Sequence, residues 1–330
     1  MEFALSEEQA ELASTVRNLL AKRADSAAVR AASVSESGHD EALWATLCEQ
    51  IGVAALAVPE EHDGVGATFF ETAVVLEELG RSLAPSPLLA TTVATHALLA
   101  GGSEEARQRL LPRIAAGEIA TLVLGNAPVL DGDRAAIVLA VLGDELVEVV
   151  DAVPTWVESM DQSVRLARLD LTTATTVPLG DGTAAAHRAD LVGAASVAAL
   201  AVGLCDRALA MTVDYAKERV QFGRPIGSFQ ALKHRMADVL ARTELARSAS
   251  WAASYALGDE SPDPAETAFL TRSAASYALE AAQLAASECV QLHGGIAITW
   301  EHDAHLVFKR AHALGQLFGA PHRHRAAVEL

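Results

Sequence analysis

The chain reads as mainly α-helical with a small β-domain: N-terminal helices, a reduced middle β-region and a C-terminal four-helix bundle. Three observations lead there. Capped, apolar-periodic segments follow one another through the first 120 residues. From 120 to 182 the apolar runs become short and are broken by Asp-Gly and Gly-Asp turns. From 185 onward, four long helical stretches are joined by short connections, the pattern of an antiparallel bundle. These changes of texture divide the 330 residues into 1–120, 121–184 and 185–330.

Each element has a local cause. Ser6 and Gln9 form a capping box, after which Leu12, Val16, Leu19 and Leu20 recur at helical spacing. Residues 51–66 (IGVAALAVPEEHDGVG) read as a buried segment running into a Gly-rich loop. Helices are expected at 70–79 and 91–99, separated by Pro85 and Pro87, and another is capped by Ser103. In the middle region, 135–142, 145–150 and 164–171 read as strands and hairpins. The bundle helices are expected near 195–220, 228–257, 264–292 and 299–316, with a loop over 258–263.

Bulk properties exclude several classes. Hydrophobic residues make up 51% of the chain, much of it alanine, which suits closely packed helices. No run approaches the roughly 20 apolar residues of a membrane helix. The acidic, helix-like N-terminus is not that of a signal peptide. Cys48, Cys205 and Cys289 are far apart and form no CxxC pair, which fits small apolar residues in a reduced cytoplasm. A net charge of −18 argues against nucleic-acid or anionic-membrane binding. It leaves room for a phosphate-bearing ligand at a local arginine.

Two segments carry the chemistry. Residues 218–238 (ERVQFGRPIGSFQALKHRMAD) place Arg219, Gln221 and Phe222 where Gly223, Pro225 and Gly227 end a helix, with Gln230 just beyond. An exposed guanidinium there suits a pyrophosphate, and Phe222 suits an adenine face. Residues 291–302 (QLHGGIAITWEH) end the next long helix but one. Gly294 and Gly295 let a backbone approach a phosphate, and Gln291 can satisfy an adenine or ribose edge. Taken alone, each segment also reads as an ordinary helix stop.

Together, in this order and spacing, the two segments resemble the flavin-contact signatures of the acyl-CoA dehydrogenase family. The N-terminal order, with AVPEE at 57–61 and GSEE at 102–105, is similar to that family's helical N-terminal domain. The resemblance implies the acyl-CoA dehydrogenase fold, FAD as cofactor, and contacts from Arg219, Gln221, Phe222, Gln230, Gln291, Leu292, His293, Gly294 and Gly295 to a flavin held by another subunit. It implies an acyl-CoA substrate and an acceptor like an electron-transfer flavoprotein. The family's flavin-ring loop is not recognisable in 121–133 (TLVLGNAPVLDGD).

The family's usual catalytic glutamate falls on Phe318, in Leu317-Phe318-Gly319-Ala320. A general base must be a carboxylate beside the acyl α-carbon. The alternative family position, at 192–194, holds Val192, Gly193 and Ala194 and no acid either. No catalytic residue is therefore assigned. Glu301 and Asp303 are the nearest acids, and their stretch reads as structural. His302, His305, His312, His322 and His324 lack HExxH or Cys/His pairing, so no metal is assigned.

The chain looks most like the small subunits of actinobacterial heteromeric acyl-CoA dehydrogenases. That implies a larger catalytic partner, a heterotetramer, and sterol side-chain or other bulky acyl-CoA thioesters. Two other readings stand beside it: a self-sufficient homomeric dehydrogenase with an unusual base, and a flavin-free scaffold.

Overall fold

Ser6 accepts the Gln9 N–H and Gln9 reaches back to the Ser6 N–H, so the first helix, α1 (Glu7–Arg23), begins on the expected capping box. The computed structural model describes residues 4–258 and 263–328. Two short helices that periodicity does not reveal follow, α2 (Ser26–Ser33) and α3 (Glu41–Thr46), each capped by an aspartate side chain. After them a π-helical turn (Leu47–Ile51) leads into the apolar segment, a series of turns followed by a 3-10 turn at Glu60–His62. Helices α4 (Phe69–Ser82) and α5 (Leu88–Gly101) are parted at Leu83, whose φ is +61°, and by the two prolines beyond it. Ser103 caps α6 (Glu104–Ala115) as expected.

The middle region holds more strands than the apolar runs suggest. They are β1 (Ala120–Leu124), β2 (Val129–Leu130), β3 (Ile137–Leu142), β4 (Glu145–Val149), β5 (Val153–Val157), β6 (Leu166–Asp170) and β7 (Thr176–Asp181). One sheet has the order β1-β3-β4-β7, with β1 and β3 parallel and the other pairs antiparallel. The other is β2-β6-β5, antiparallel throughout. Strands β3, β4 and β6 are the expected ones. The exposed edge strand β5 and the late β7 lack a continuous apolar run, so their pairing is set by neighbours rather than by composition.

The largest correction concerns the first bundle helix. It is not 195–220 but α7 (Gly182–Glu218), 37 residues long, started by Asp181, whose carboxylate accepts the Thr183 and Ala184 N–H groups at 2.8 and 3.0 Å. By length and composition α7 could cross a membrane, contrary to the reading that no such run exists. However, 89% of its most apolar window is buried inside the protein, so it is the central core helix. It packs against α4, α5, α8 (Gln230–Gly258), α9 (Pro264–His293) and α10 (Ala304–Leu314). The two strands of a small hairpin, β8 (Val220–Gln221) and β9 (Arg224–Pro225), separate α7 from α8. Helix α10 is shorter than the expected 299–316, because residues 294–298 form a 3-10 turn and 299–303 bend sharply before it. A final short helix, α11 (Pro321–Ala326), was not anticipated. The loop expected over 258–263 lies largely on 259–262, outside the described residues.

Small residues explain how six helices share one core. A Cβ on Gly80 would strike the Leu200 carbonyl, and one on Gly203 would strike the Glu77 carbonyl, so α4 and α7 meet backbone to backbone. Alanines 274, 278, 281, 282, 285 and 286 of α9 are all buried along the same bundle. Charged residues flank the seam. Arg17 grips Glu78 at 2.6 Å, Arg81 reaches Asp206 at 2.5 Å, and Arg247 bonds both Glu77 and Asp206, the latter at 2.7 Å.

Candidate functional site

The first motif is built around a turn that projects two side chains outward. Phe222 (φ +51°) and Gly223 (φ +74°) occupy the two left-handed positions between β8 and β9, a tight hairpin geometry that glycine favours. Ile226 is buried and its N–H donates to the Arg219 carbonyl at 2.8 Å, anchoring the hairpin to the end of α7. Gly227 lies so near the Ala216 carbonyl that a Cβ would approach it to 2.9 Å. Phe222 is 92% exposed, its ring edge-on to that of Phe229 with centroids 6.2 Å apart. Arg219 is exposed, and its guanidinium has neither an ion pair nor a hydrogen bond among the described residues. The Gln221 amide donates to the Val220 carbonyl at 2.9 Å, and the exposed Gln230 amide meets His234 at 2.8 Å.

The second motif ends α9. Gln291 is exposed, while Leu292 and His293 turn inward and support the loop instead of offering side chains to solvent. Gly294 (φ +66°) and Gly295 have nothing within 4 Å of where a Cβ would sit, so their backbone faces open space. The two motifs are brought together by aromatic stacking. The Tyr215 ring, one turn before Arg219, lies 4.4 Å from His293, and His302 packs on His293 at 4.5 Å. His293 Nδ1 lies 2.7 Å from the Cys289 carbonyl, and burial pushes its pKa down. The donor set suits a dinucleotide: an uncommitted guanidinium, three amide side chains, an exposed aromatic face and bare glycine backbone.

The base position has a different character. Phe318 has φ +53°, and its ring covers Gly193 so closely that a Cβ there would fall inside it. Phe318 and Gly193, where the resemblance implies the usual and the alternative base, thus touch each other, and neither carries an acid. Beside them, Arg272 pairs with Asp190, and the buried His324 lies against Gly319. Glu301 is exposed. Asp303 is committed elsewhere: Ser26 and Arg30 donate to it at 2.5 and 2.8 Å, and Arg207 lies at 3.4 Å. Burial alone would push its carboxyl up, but these bonds and charges outweigh that and hold it below the usual range. It ties α2 to the start of α10. The histidines scatter too. His305 packs on Trp300, His312 faces the Phe308 carbonyl, and among the described residues no three His, Cys, Asp or Glu side chains converge on a metal site.

One acid escaped the sequence reading. Asp131, in the loop after β2, is buried at φ +51° and lines a cavity of about 40 Å³ with Leu76, Leu89, Leu200 and Leu317. Burial first and the Asp133 charge second, opposed by Arg165, push its carboxyl up to about 7. The signal was the Asp-Gly-Asp tract itself, which read only as a turn. Nearby, Arg310 bonds the buried Asp161 at 2.7 Å and the Ser163 hydroxyl, locking α10 to the middle sheets.

Fold and site together define a mainly helical scaffold with an exposed, dinucleotide-suited surface at one end and an apolar contact, Phe318 on Gly193, where a base is expected. Residues 6–118 match the model of the acyl-CoA dehydrogenase N-terminal domain and residues 180–329 that of its C-terminal domain. The chain belongs to the acyl-CoA dehydrogenase family. It is 48% identical over 316 residues to acyl-CoA dehydrogenase IpdE2 of Mycobacterium tuberculosis, covering 96% of this chain and 94% of that one. Among solved structures it is similar to the Tcur3481-Tcur3483 steroid ACAD G363A variant, with a TM-score of 0.87, 29% identity, and coverage of 98% and 96% of the two chains. The ChsE4-ChsE5 complex from Mycobacterium tuberculosis shares the fold, with a TM-score of 0.89, 24% identity, and coverage of 99% and 98%.

Proposed function

We propose that this chain is one subunit of a heteromeric, FAD-dependent acyl-CoA dehydrogenase, completing a flavin site while a larger partner chain supplies the base. The observation that carries this is the contrast between two parts of the molecule. The phosphate- and adenine-facing groups are intact and exposed at Arg219, Gln221, Phe222, Gln230, Gln291 and Gly294-Gly295. The base position is an aromatic ring closed onto Gly193. Similarity to the paired Tcur3481-Tcur3483 steroid ACAD supports the heteromeric form, which we take to be a heterotetramer. The same steroid ACAD supports a bulky acyl-CoA, such as one with a sterol side chain, as substrate.

In this reading Arg219 holds the pyrophosphate by a charge-assisted pair, Phe222 covers the adenine face, and the Gly294-Gly295 backbone approaches the nucleotide without steric hindrance. A flavin held by these residues would supply the acceptor for hydride from the acyl β-carbon, and an electron-transfer flavoprotein-like protein would take up the electrons. Tyr215 and His293 keep both motifs in register. Phe318 places no proton acceptor near an α-carbon and excludes water from the Gly193 surface.

Purification alone and co-expressed with a larger family member, followed by visible spectra and addition of acyl-CoA, tests this. Flavin retained and bleached by acyl-CoA only in the mixed assembly is the expected result. Rapid bleaching with this chain as the sole protein would overturn it.

A further inference from the structure

We propose that the groove between α2, the 161–163 loop and the start of α10 is a binding site for a flat, apolar organic anion, separate from the flavin-facing surface. The groove encloses about 320 Å³, the low end of the range for small-molecule sites and too small for a whole CoA thioester. Its walls are Val29, Val34, Leu83, Leu306 and Trp300, with Lys309 at the rim. Val34 and Trp300 are 69% and 64% exposed, which leaves an apolar rim open to solvent.

Charge selects the occupant. Arg30 is neutralised by Asp303 at 2.8 Å, and Asp161 by Arg310 at 2.7 Å. Lys309 remains. Its ammonium lies 4.2 Å from the Trp300 ring centroid and forms no ion pair among the described residues. In a chain of net charge −18, this is a local cation mounted on an exposed indole. His305 packs edge-on against the same indole at 4.8 Å, which holds the ring in place. A planar hydrocarbon body can lie on Trp300 and the aliphatic wall while a carboxylate or sulfonate meets Lys309. The inference is independent of the flavin reading, because none of the flavin-facing residues lines this groove.

The test uses two dyes on the full chain in its purified assembly. These are 8-anilinonaphthalene-1-sulfonate and its uncharged relative N-phenyl-1-naphthylamine, each titrated by fluorescence. One site per chain is expected, with the sulfonate binding about tenfold tighter than the neutral dye at low salt. Lys309→Gln should erase that difference, Trp300→Ala should weaken both dyes by about tenfold or more, and Tyr255→Ala, at another exposed aromatic, should change neither. Thermal melts establish that the variants are folded. Absence of dye binding, or wild-type binding of both dyes by Lys309→Gln and Trp300→Ala, would overturn the proposal.

Discussion

Replacing Arg219 by alanine separates cofactor binding from folding more cleanly than any other change in this chain. The guanidinium is exposed and bonds nothing among the described residues, so its loss removes no internal contact. Its backbone contacts, the N–H to the Tyr215 carbonyl and the carbonyl to the Ile226 N–H, survive the substitution. Folding stability should therefore change by less than about 0.5 kcal/mol, as for an ordinary surface site. In the proposed role the same side chain makes a charge-assisted contact to phosphate, whose loss costs about 1.5–3 kcal/mol. Flavin affinity should fall roughly ten- to a hundredfold. The assay is flavin release from the purified assembly, followed by fluorescence at graded dilution, with a thermal melt of the flavin-free form as control. Unchanged flavin retention refutes the assignment. A drop in melting temperature equal to the loss in binding refutes the separation, and shows Arg219 to be structural.

Three further outcomes follow from the packing and the buried charges. Gly193→Val drives a branched side chain into the Phe318 ring and should destabilise by about 1–3 kcal/mol, with Phe318→Ala in the same chain recovering much of it in a double-mutant denaturation cycle. Asp131, pushed up to about 7, is ionised at a cost when the pH exceeds that value. Its folded pKa lies above the unfolded one, so the chain loses stability as pH rises from about 4 through 7. Asp131→Asn should therefore stabilise by a few kcal/mol, on the order of 4, at pH 8 and have no effect near pH 4 in urea titrations. His96 behaves oppositely. Burial first and Arg188 second push it down to about 3, so its neutral form is stable above about 6.5 and the chain loses stability as pH falls below that. That loss should reach about 2 kcal/mol by pH 5, and His96→Gln should flatten this part of the pH–stability curve.

The helices with strong caps or clean periodicity were legible: Ser6, Ser103 and the prolines at 85 and 87 set their ends as expected. The start of α7 was not. Its first turns, residues 182–191, mix alanine with His187, Arg188 and Asp190, and only the Asp181 cap signals the helix. Strand β5 escaped because four of its five residues are exposed and it pairs only as a sheet edge. In the site, the exposure of Arg219 and the open backbone at Gly294 and Gly295 matched what the residue types suggested. The contact of Phe318 with Gly193 was invisible, since residues 125 positions apart meet only in three dimensions. Asp131 was missed for a related reason, because burial, which gives that carboxyl its character, is not a local property.

The backbone-to-backbone seam between α4 and α7 has a consequence for how the chain is made. Residues 77–80 cannot be covered until residues 200–203 exist, roughly 120 positions later. At cellular synthesis rates that interval is on the order of ten seconds. Through it Leu76, Leu79 and Val75, all buried in the finished molecule, have no α7 to pack against. An N-terminal piece ending in the middle sheets would carry that uncovered stripe permanently, a target for chaperones and proteases, and for self-association on the ribosome.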